Sequence, residues 1–215
     1  MGAIARNIAN KITTSGVFTS GAITNSSVTG ITVLANASDG ITLISSQTAS
    51  SSASLSFTSG LTSTYKAYKF VFSNIHPATD GASFTFQSST DGGSNYGVTL
   101  TSTATYIFHD EADTDTALDY DTSRDLAQST SFQILGTSGS DNDQNLSGTL
   151  TLFNPSSTTY VKHWISNCNE TWLADYSIQR LMAGYFNTTS AINAVRFQMS
   201  SGNIDAGTIY LYGIK

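Results

Sequence analysis

Apolar and polar positions alternate with a period of two through much of the chain after residue 41. The rule holds in Tyr68-Lys69-Phe70-Val71-Phe72, Phe84-Thr85-Phe86-Gln87 and Leu150-Thr151-Leu152, then in Val195-Arg196-Phe197-Gln198-Met199 and Ile209-Tyr210-Leu211-Tyr212. Shorter pieces, Ile41-Thr42-Leu43-Ile44, Leu55-Ser56-Phe57 and Phe132-Gln133-Ile134, follow it too. Successive side chains of a strand point to opposite faces, so this period predicts strands with one face buried and the other solvated. A parallel sheet would instead show strands apolar on both faces. Gly, Asn, Asp and Ser bound the runs, and roughly ten strands joined by such turns predict an all-β fold, an antiparallel jelly-roll-like β-sandwich. Its core is expected to hold Phe70, Phe72, Phe84, Phe86, Leu150, Leu152, Phe197, Ile209 and Leu211.

The first forty residues follow a different rule. Ile4, Ile8 and Ile12 recur every four residues, with Arg6, Asn7, Asn10 and Lys11 on other faces, which predicts a short helix over 3–12. So short a helix is not stable alone in water and needs a surface to dock on. Residues 13–40 repeat small polar residues around sparse apolar ones: Thr14-Ser15-Gly16-Val17-Phe18 is echoed by Thr19-Ser20-Gly21-Ala22-Ile23. That is too little apolar area to offset the ordering entropy of an independent fold. The division expected is an N-terminal attachment arm, 1–40, followed by a β-sandwich domain, 41–215. Ile4, Arg6, Ile8, Lys11, Ile12, Val17, Phe18 and Ile23 are the candidate anchoring residues. Arg6 and Lys11 are the only charges before Asp39, so a locally positive arm precedes an acidic body.

Composition narrows the function. Only 11% of the 215 residues are charged, about half the usual share of roughly 25%. Ser, Thr, Asn and Gly take their place, as suits strands and turns better than helices. The net charge is −6, and the 9 Lys and Arg are scattered rather than clustered, which argues against a nucleic-acid partner. No stretch approaches the roughly 20 apolar residues of a membrane-spanning helix, and polar residues interrupt any signal-peptide core at the N-terminus. Synthesis in a cytoplasm without membrane insertion is expected. Cys168 is the single cysteine and is expected to be a small buried side chain with no internal disulfide to make.

Candidate chemistry is thin. Ser89-Thr90-Asp91-Gly92-Gly93-Ser94-Asn95-Tyr96 resembles the Asp-box hairpin of sialidases, with Asn95 and Tyr96 where Thr and Trp are usual. One such box, without a cluster of arginines, predicts a structural turn. Residues 109–125 carry seven of the fifteen carboxylates: Asp110, Glu111, Asp113, Asp115, Asp119, Asp121 and Asp125. A solvated loop is expected there; calcium or partner contact, and the paired carboxylates of glycoside hydrolysis, are the alternatives. Asp141-x-Asp143-x-Asn145 begins like an EF-hand loop but lacks its later Gly and Glu. His76, His109 and His163 are not in zinc-binding spacing, and no nucleophile elbow or phosphate loop occurs. The chain is expected to be no enzyme and to use no cofactor.

Four blocks carry a resemblance over nearly the whole chain: Ile4-Ala5-Arg6-Asn7-Ile8-Ala9, Ser73-Asn74-Ile75-His76-Pro77-Ala78-Thr79-Asp80, Phe153-Asn154-Pro155-Ser156-Ser157-Thr158-Thr159-Tyr160-Val161-Lys162-His163, and Met199 through Ile214. Together they resemble virion structural proteins of marine tailed phages, of decoration or fibre-like type. The resemblance implies a particle component, with no catalytic residues to carry over. It leads to an expectation of a capsid decoration or head-fibre protein on the virion surface, trimeric and bound to the major capsid protein or another virion protein. The alternative is a tail-fibre or receptor-binding module whose exposed loops contact a host surface glycan, with a polysaccharide depolymerase as a remoter third.

Overall fold

The structure, a computed structural model, describes residues 40–215. The expected helix over 3–12 and the anchoring residues Ile4, Arg6, Ile8, Lys11, Ile12, Val17, Phe18 and Ile23 lie outside the described residues. Twelve strands follow in order: β1 (Ile41–Thr48), β2 (Leu55–Phe57), β3 (Ala67–Pro77), β4 (Ser83–Ser89), β5 (Leu100–Asp110), β6 (Thr116–Tyr120), β7 (Gln133–Thr137), β8 (Leu146–Phe153), β9 (Lys162–Trp172), β10 (Tyr176–Phe186), β11 (Ala194–Met199) and β12 (Ile204–Ile214). All pairings are antiparallel.

The connectivity is that of a rolled-up hairpin. β1 pairs with β12 and β3 with β8 in the larger sheet; β2 pairs with β11 and β4 with β7 in the smaller. Successive nested pairs thus alternate between sheets, as in a jelly roll of eight strands. The remaining four strands are two excursions, β5–β6 and β9–β10. Both join the larger sheet, giving the order β1-β12-β3-β8-β9-β10-β5-β6 against β2-β11-β4-β7. The smaller sheet ends at β7, which packs against the added strands β9 and β10.

Aromatic side chains from both sheets fill the interior. Phe197 on β11 meets Phe57, Phe70, Phe72, Phe84 and Phe86, with ring centroids 5.1 to 6.2 Å apart. Edge-to-face and offset pairs of this kind stabilise beyond their buried area. All nine residues expected in the core are buried. Cys168 is buried too, and burial pushes its thiol up to about 12, which leaves it a neutral space-filler. Lys162, at the start of β9, is also fully buried; its ammonium donates to the Thr188 carbonyl at 3.1 Å, and burial lowers its pKa.

Two places depart from the alternation as read, and a third departs from the loop expected there. In Phe132-Gln133-Ile134 the phase is reversed: Gln133 is the inward residue. Its amide accepts from the Ser102 hydroxyl at 2.6 Å and donates to the Arg124 and Ile134 carbonyls, which satisfies it more fully than a ring would. Ile41 and Leu43 are exposed, because β1 is an edge strand with a register shift between Leu43 and Ser45. The acidic stretch is not a continuous solvated loop. Thr116–Tyr120 pairs with β5, and Asp110 and Asp121 are buried.

The Ser89–Tyr96 segment is a self-bonded turn. The Asp91 carboxylate accepts from the Ser89 hydroxyl at 2.6 Å, the Asn95 amide N–H at 2.9 Å and the Asn95 side chain at 2.6 Å. Gly92 and Gly93 have φ of 75° and 91°, a region open to glycine at no steric cost. The Tyr96 ring lies under the Arg196 guanidinium, 4.0 Å from its centroid. These bonds hold the Asp91 carboxyl down at about 2 against an ordinary 3.8. A depressed carboxyl stabilises above its unfolded value and loses that contribution as pH falls through the folded one. Local protection of the Asn95 amide, read by hydrogen exchange, is therefore expected to persist below pH 3.8 and collapse toward pH 2, and to be lost at all pH in Asp91→Ala.

Candidate functional site

The two excursions build a groove. β7 of the smaller sheet packs across β9 and β10, where the Thr137 N–H bonds to Glu170, and the aromatic residues of β5, β9 and β10 lie beyond that contact. The segment after β6 runs back along β5, through backbone bonds from Asp121 N–H to Ala104 O and from Ser102 N–H to Leu126 O. The cavity left is about 400 Å³, floored by Tyr106, Phe108, Trp172, Tyr176, Ile178 and Arg180 and walled by Asp115, Asp121, Ser123 and Arg124. That is within the usual size of a small-ligand site.

The floor is a strip of rings. Tyr106 and Phe108, two residues apart on β5, stack at 5.8 Å and 12°. Phe108 meets Tyr176 edge-on at 5.2 Å, and Tyr176 meets Trp172 at 5.6 Å across the β9–β10 turn. All four rings are half-buried. The Tyr176 hydroxyl donates to the Asp115 carboxylate at 3.3 Å; burial first, and Asp115 second, hold its phenol above the ordinary value.

Beneath the strip lies a buried cluster of two guanidinium groups and two carboxylates. Arg180 Nε donates to Glu170 Oε1 at 2.7 Å and its Nη1 to Asp121 Oδ2 at 2.8 Å. Arg124 Nε stands 3.6 Å from the same Asp121 oxygen, and its Nη2 donates to the Thr137 hydroxyl at 2.9 Å. The Thr137 N–H returns a bond to Glu170 Oε2 at 2.6 Å. The cluster thus ties β7, β9 and β10 to the segment after β6. Burial raises the Glu170 carboxyl despite both guanidiniums, and burial lowers Arg124. Gly136 is needed beside it: a Cβ there would run into Glu170 Oε2 and the Leu146 side chain.

The structure brings together only part of the acidic run read from sequence. Asp121 and Asp115 border the groove, while Asp110 caps its own turn by accepting from the Thr114 hydroxyl and the Thr114 and Asp115 N–H groups. Asp125 accepts from the Tyr120 hydroxyl at 3.0 Å. The histidines are dispersed: His76 faces Asp205, His109 faces Asp113, and His163 is exposed beside Tyr185. Among the described residues no group of three or more His, Cys, Asp or Glu could hold a metal ion, and no helix is long and apolar enough to cross a membrane. Glu170, Arg180 and Arg124 were not singled out by sequence. The signal for Glu170 and Arg180 was the inward phase shared with Trp164 and Cys168 on β9 and with Ile178 and Met182 on β10, whereas Arg124, in the segment after β6, had none.

A second feature lies on the opposite face of the same strands. Leu118, Ile107, Leu181 and Ile165 are exposed and step diagonally across β6, β5, β10 and β9. The protein is therefore an antiparallel β-sandwich with an aromatic groove on one face of its extended sheet and an apolar stripe on the other. Comparison of the chain with protein-family models, with characterised proteins and with solved structures finds no match.

Proposed function

We propose that the chain is a non-catalytic structural component of a tailed-phage virion. It is a capsid decoration or head-fibre protein, anchored through residues 1–40 to the major capsid protein or another virion protein. The observation that carries this reading is the contrast within the chain. Residues 40–215 include a sandwich with its own aromatic core, whereas residues 1–40 offer isolated apolar side chains suited to an external surface. Burying several of Ile4, Ile8, Ile12, Val17, Phe18 and Ile23 on a partner contributes roughly 1.5–3 kcal/mol each before ordering entropy. Arg6 and Lys11 favour an acidic docking surface. The sandwich is the displayed part, assembled as a homotrimer; the Leu118–Ile165 stripe supports self-association, since burying it removes apolar area from water.

The test adds full-length protein, or a chain starting at residue 41, to particles lacking it and measures occupancy. The shortened chain is expected to stay folded and fail to join. Equal occupancy would move the contact onto the sandwich. A second reading, a tail-fibre or receptor-binding module, is favoured by the aromatic groove. Copy number separates the two readings: a protein covering the capsid is present in far more copies than one on the tail.

A further inference from the structure

We propose that the groove floored by Tyr106, Phe108, Trp172 and Tyr176 binds a neutral saccharide, the pyranose ring lying on the aromatic strip and its hydroxyls bonding to Asp115 and Ser123 at the rim. Such binding goes beyond a structural role and is independent of where on the particle the protein sits.

Three observations carry it. The strip is continuous: its rings follow one another at 5.8, 5.2 and 5.6 Å, the first pair near-parallel and the other two edge-on at 70° and 71°, so a ligand lying on it meets ring faces and edges in turn. The rings stay half-buried although the core nearby is fully packed, and no residue of β7 lines the groove. The charge is matched: Arg180 and Arg124 are paired to Glu170 and Asp121 beneath the strip. An anionic ligand would lie against the Asp115 and Asp121 carboxylates that line the groove, even though Arg124 Nη1 has no hydrogen-bond partner. A cationic one would lie over both guanidiniums, with Arg180 already 5.8 Å from the Tyr106 ring centroid. A polyhydroxylated, uncharged ring avoids both conflicts. Asp115 is exposed and accepts from Tyr176, and Ser123 is exposed with its hydroxyl on Asp121, so directional polar groups stand at the mouth of a mainly aromatic floor. The groove is open and the ligand small, so millimolar-range affinity is expected.

The two tryptophans provide a probe with its own control. Trp172 is in the strip, whereas Trp164 is fully buried in the core. The full chain, with nitrogen-15 in its indoles, is titrated by NMR with D-glucose, D-galactose, D-mannose, N-acetyl-D-glucosamine and their β-1,4 disaccharides, and with D-glucuronate and N-acetylneuraminate as charged comparisons. The expected result is a saturable shift of the Trp172 indole N–H with at least one neutral sugar while Trp164 stays fixed. Tyr176→Ala is expected to weaken that binding at least tenfold. Because Tyr176 borders a turn, Asp115→Asn serves as a second variant that keeps the strip intact, and it is expected to weaken binding several-fold. An unmoved Trp164 resonance certifies that each variant is folded. Absence of a saturable Trp172 shift with every neutral sugar overturns the proposal. So does binding confined to glucuronate or N-acetylneuraminate, or a shift unchanged in both variants. The measurement involves no particle, so its failure leaves arm-mediated docking untouched.

Discussion

Phe197→Ala is expected to destabilise the protein by about 3–5 kcal/mol, the range for truncating a buried aromatic side chain. Phe197 is a central point at which the two sheets meet. Its ring touches Phe84 and Phe86 on the neighbouring strand of its own sheet and Phe70 and Phe72 on the larger sheet, and it also reaches Phe57 on β2. Deleting it leaves a void lined by rings that are themselves locked by packing, so the site has little freedom to collapse. For a chain of this size each kcal/mol lowers Tm by roughly 2–4 °C, so a fall on the order of 10 °C is expected in a calorimetric or circular-dichroism melt. Phe197→Leu keeps much of the volume and is expected to lose less than half as much. Phe70→Ala is expected to behave like Phe197→Ala, and the double variant to fall short of their sum, because the two rings are in contact at 5.1 Å. An unchanged Tm in both single variants would mean that the sheets do not pack through these faces.

That the core could be read from sequence has a simple cause. Phe70, Phe72, Phe84, Phe86 and Phe197 sit in strands where large rings alternate with polar or smaller residues, so the period of two names the buried face directly. Cys168, expected to be a small buried side chain, is one. The excursion strands were harder. β5 reads Leu-Thr-Ser-Thr-Ala-Thr-Tyr-Ile-Phe-His-Asp, where the inward residues include Ser102 and Ala104 and the outward ones include Ile107, so hydrophobicity does not mark the face. In β9 the inward set is Lys162, Trp164, Ser166, Cys168 and Glu170. A polar interior of this kind is intelligible only once partners are known: Glu170 is inward because Arg180, ten residues on, and Arg124, on another segment, reach it. The same holds for Asp121, which reads as one more carboxylate in an acidic run until the segment after β6 is seen to fold back over the strands. The groove depends on that return and on the register of the β9–β10 hairpin, neither of which is a local property of sequence.

Arg180→Ala is expected to destabilise the protein by about 3–5 kcal/mol at neutral pH, the cost of leaving a buried charge without its partner. The wild-type cluster contains two cations and two anions, so its burial is tolerated only as a set. Without Arg180, Glu170 Oε1 loses its bond at 2.7 Å and Asp121 Oδ2 its bond at 2.8 Å. What remains is Arg124, 3.9 Å from Glu170 and 3.6 Å from Asp121, too far for good hydrogen bonds to either. Two carboxylates would then share one poorly placed guanidinium in a site where Glu170 is fully enclosed. Protonation of Glu170 is the available relief. In the wild type, burial already holds that carboxyl above its ordinary value, and removal of the adjacent guanidinium raises it further. A carboxyl raised in the folded state makes stability fall as pH climbs from the unfolded value through the folded one. The deficit of Arg180→Ala relative to wild type is therefore expected to shrink as pH is lowered from about 8 to about 5, where ordinary exposed carboxylates are still ionised. Glu170→Met combined with Arg180→Met removes one charge of each sign, leaves the Asp121–Arg124 pair, and is expected to destabilise less than Arg180→Ala alone. Urea denaturation of the variants across that pH range is the measurement. A deficit independent of pH, or a double substitution costing as much as the single one, would show that Arg180 contributes by packing rather than by charge pairing.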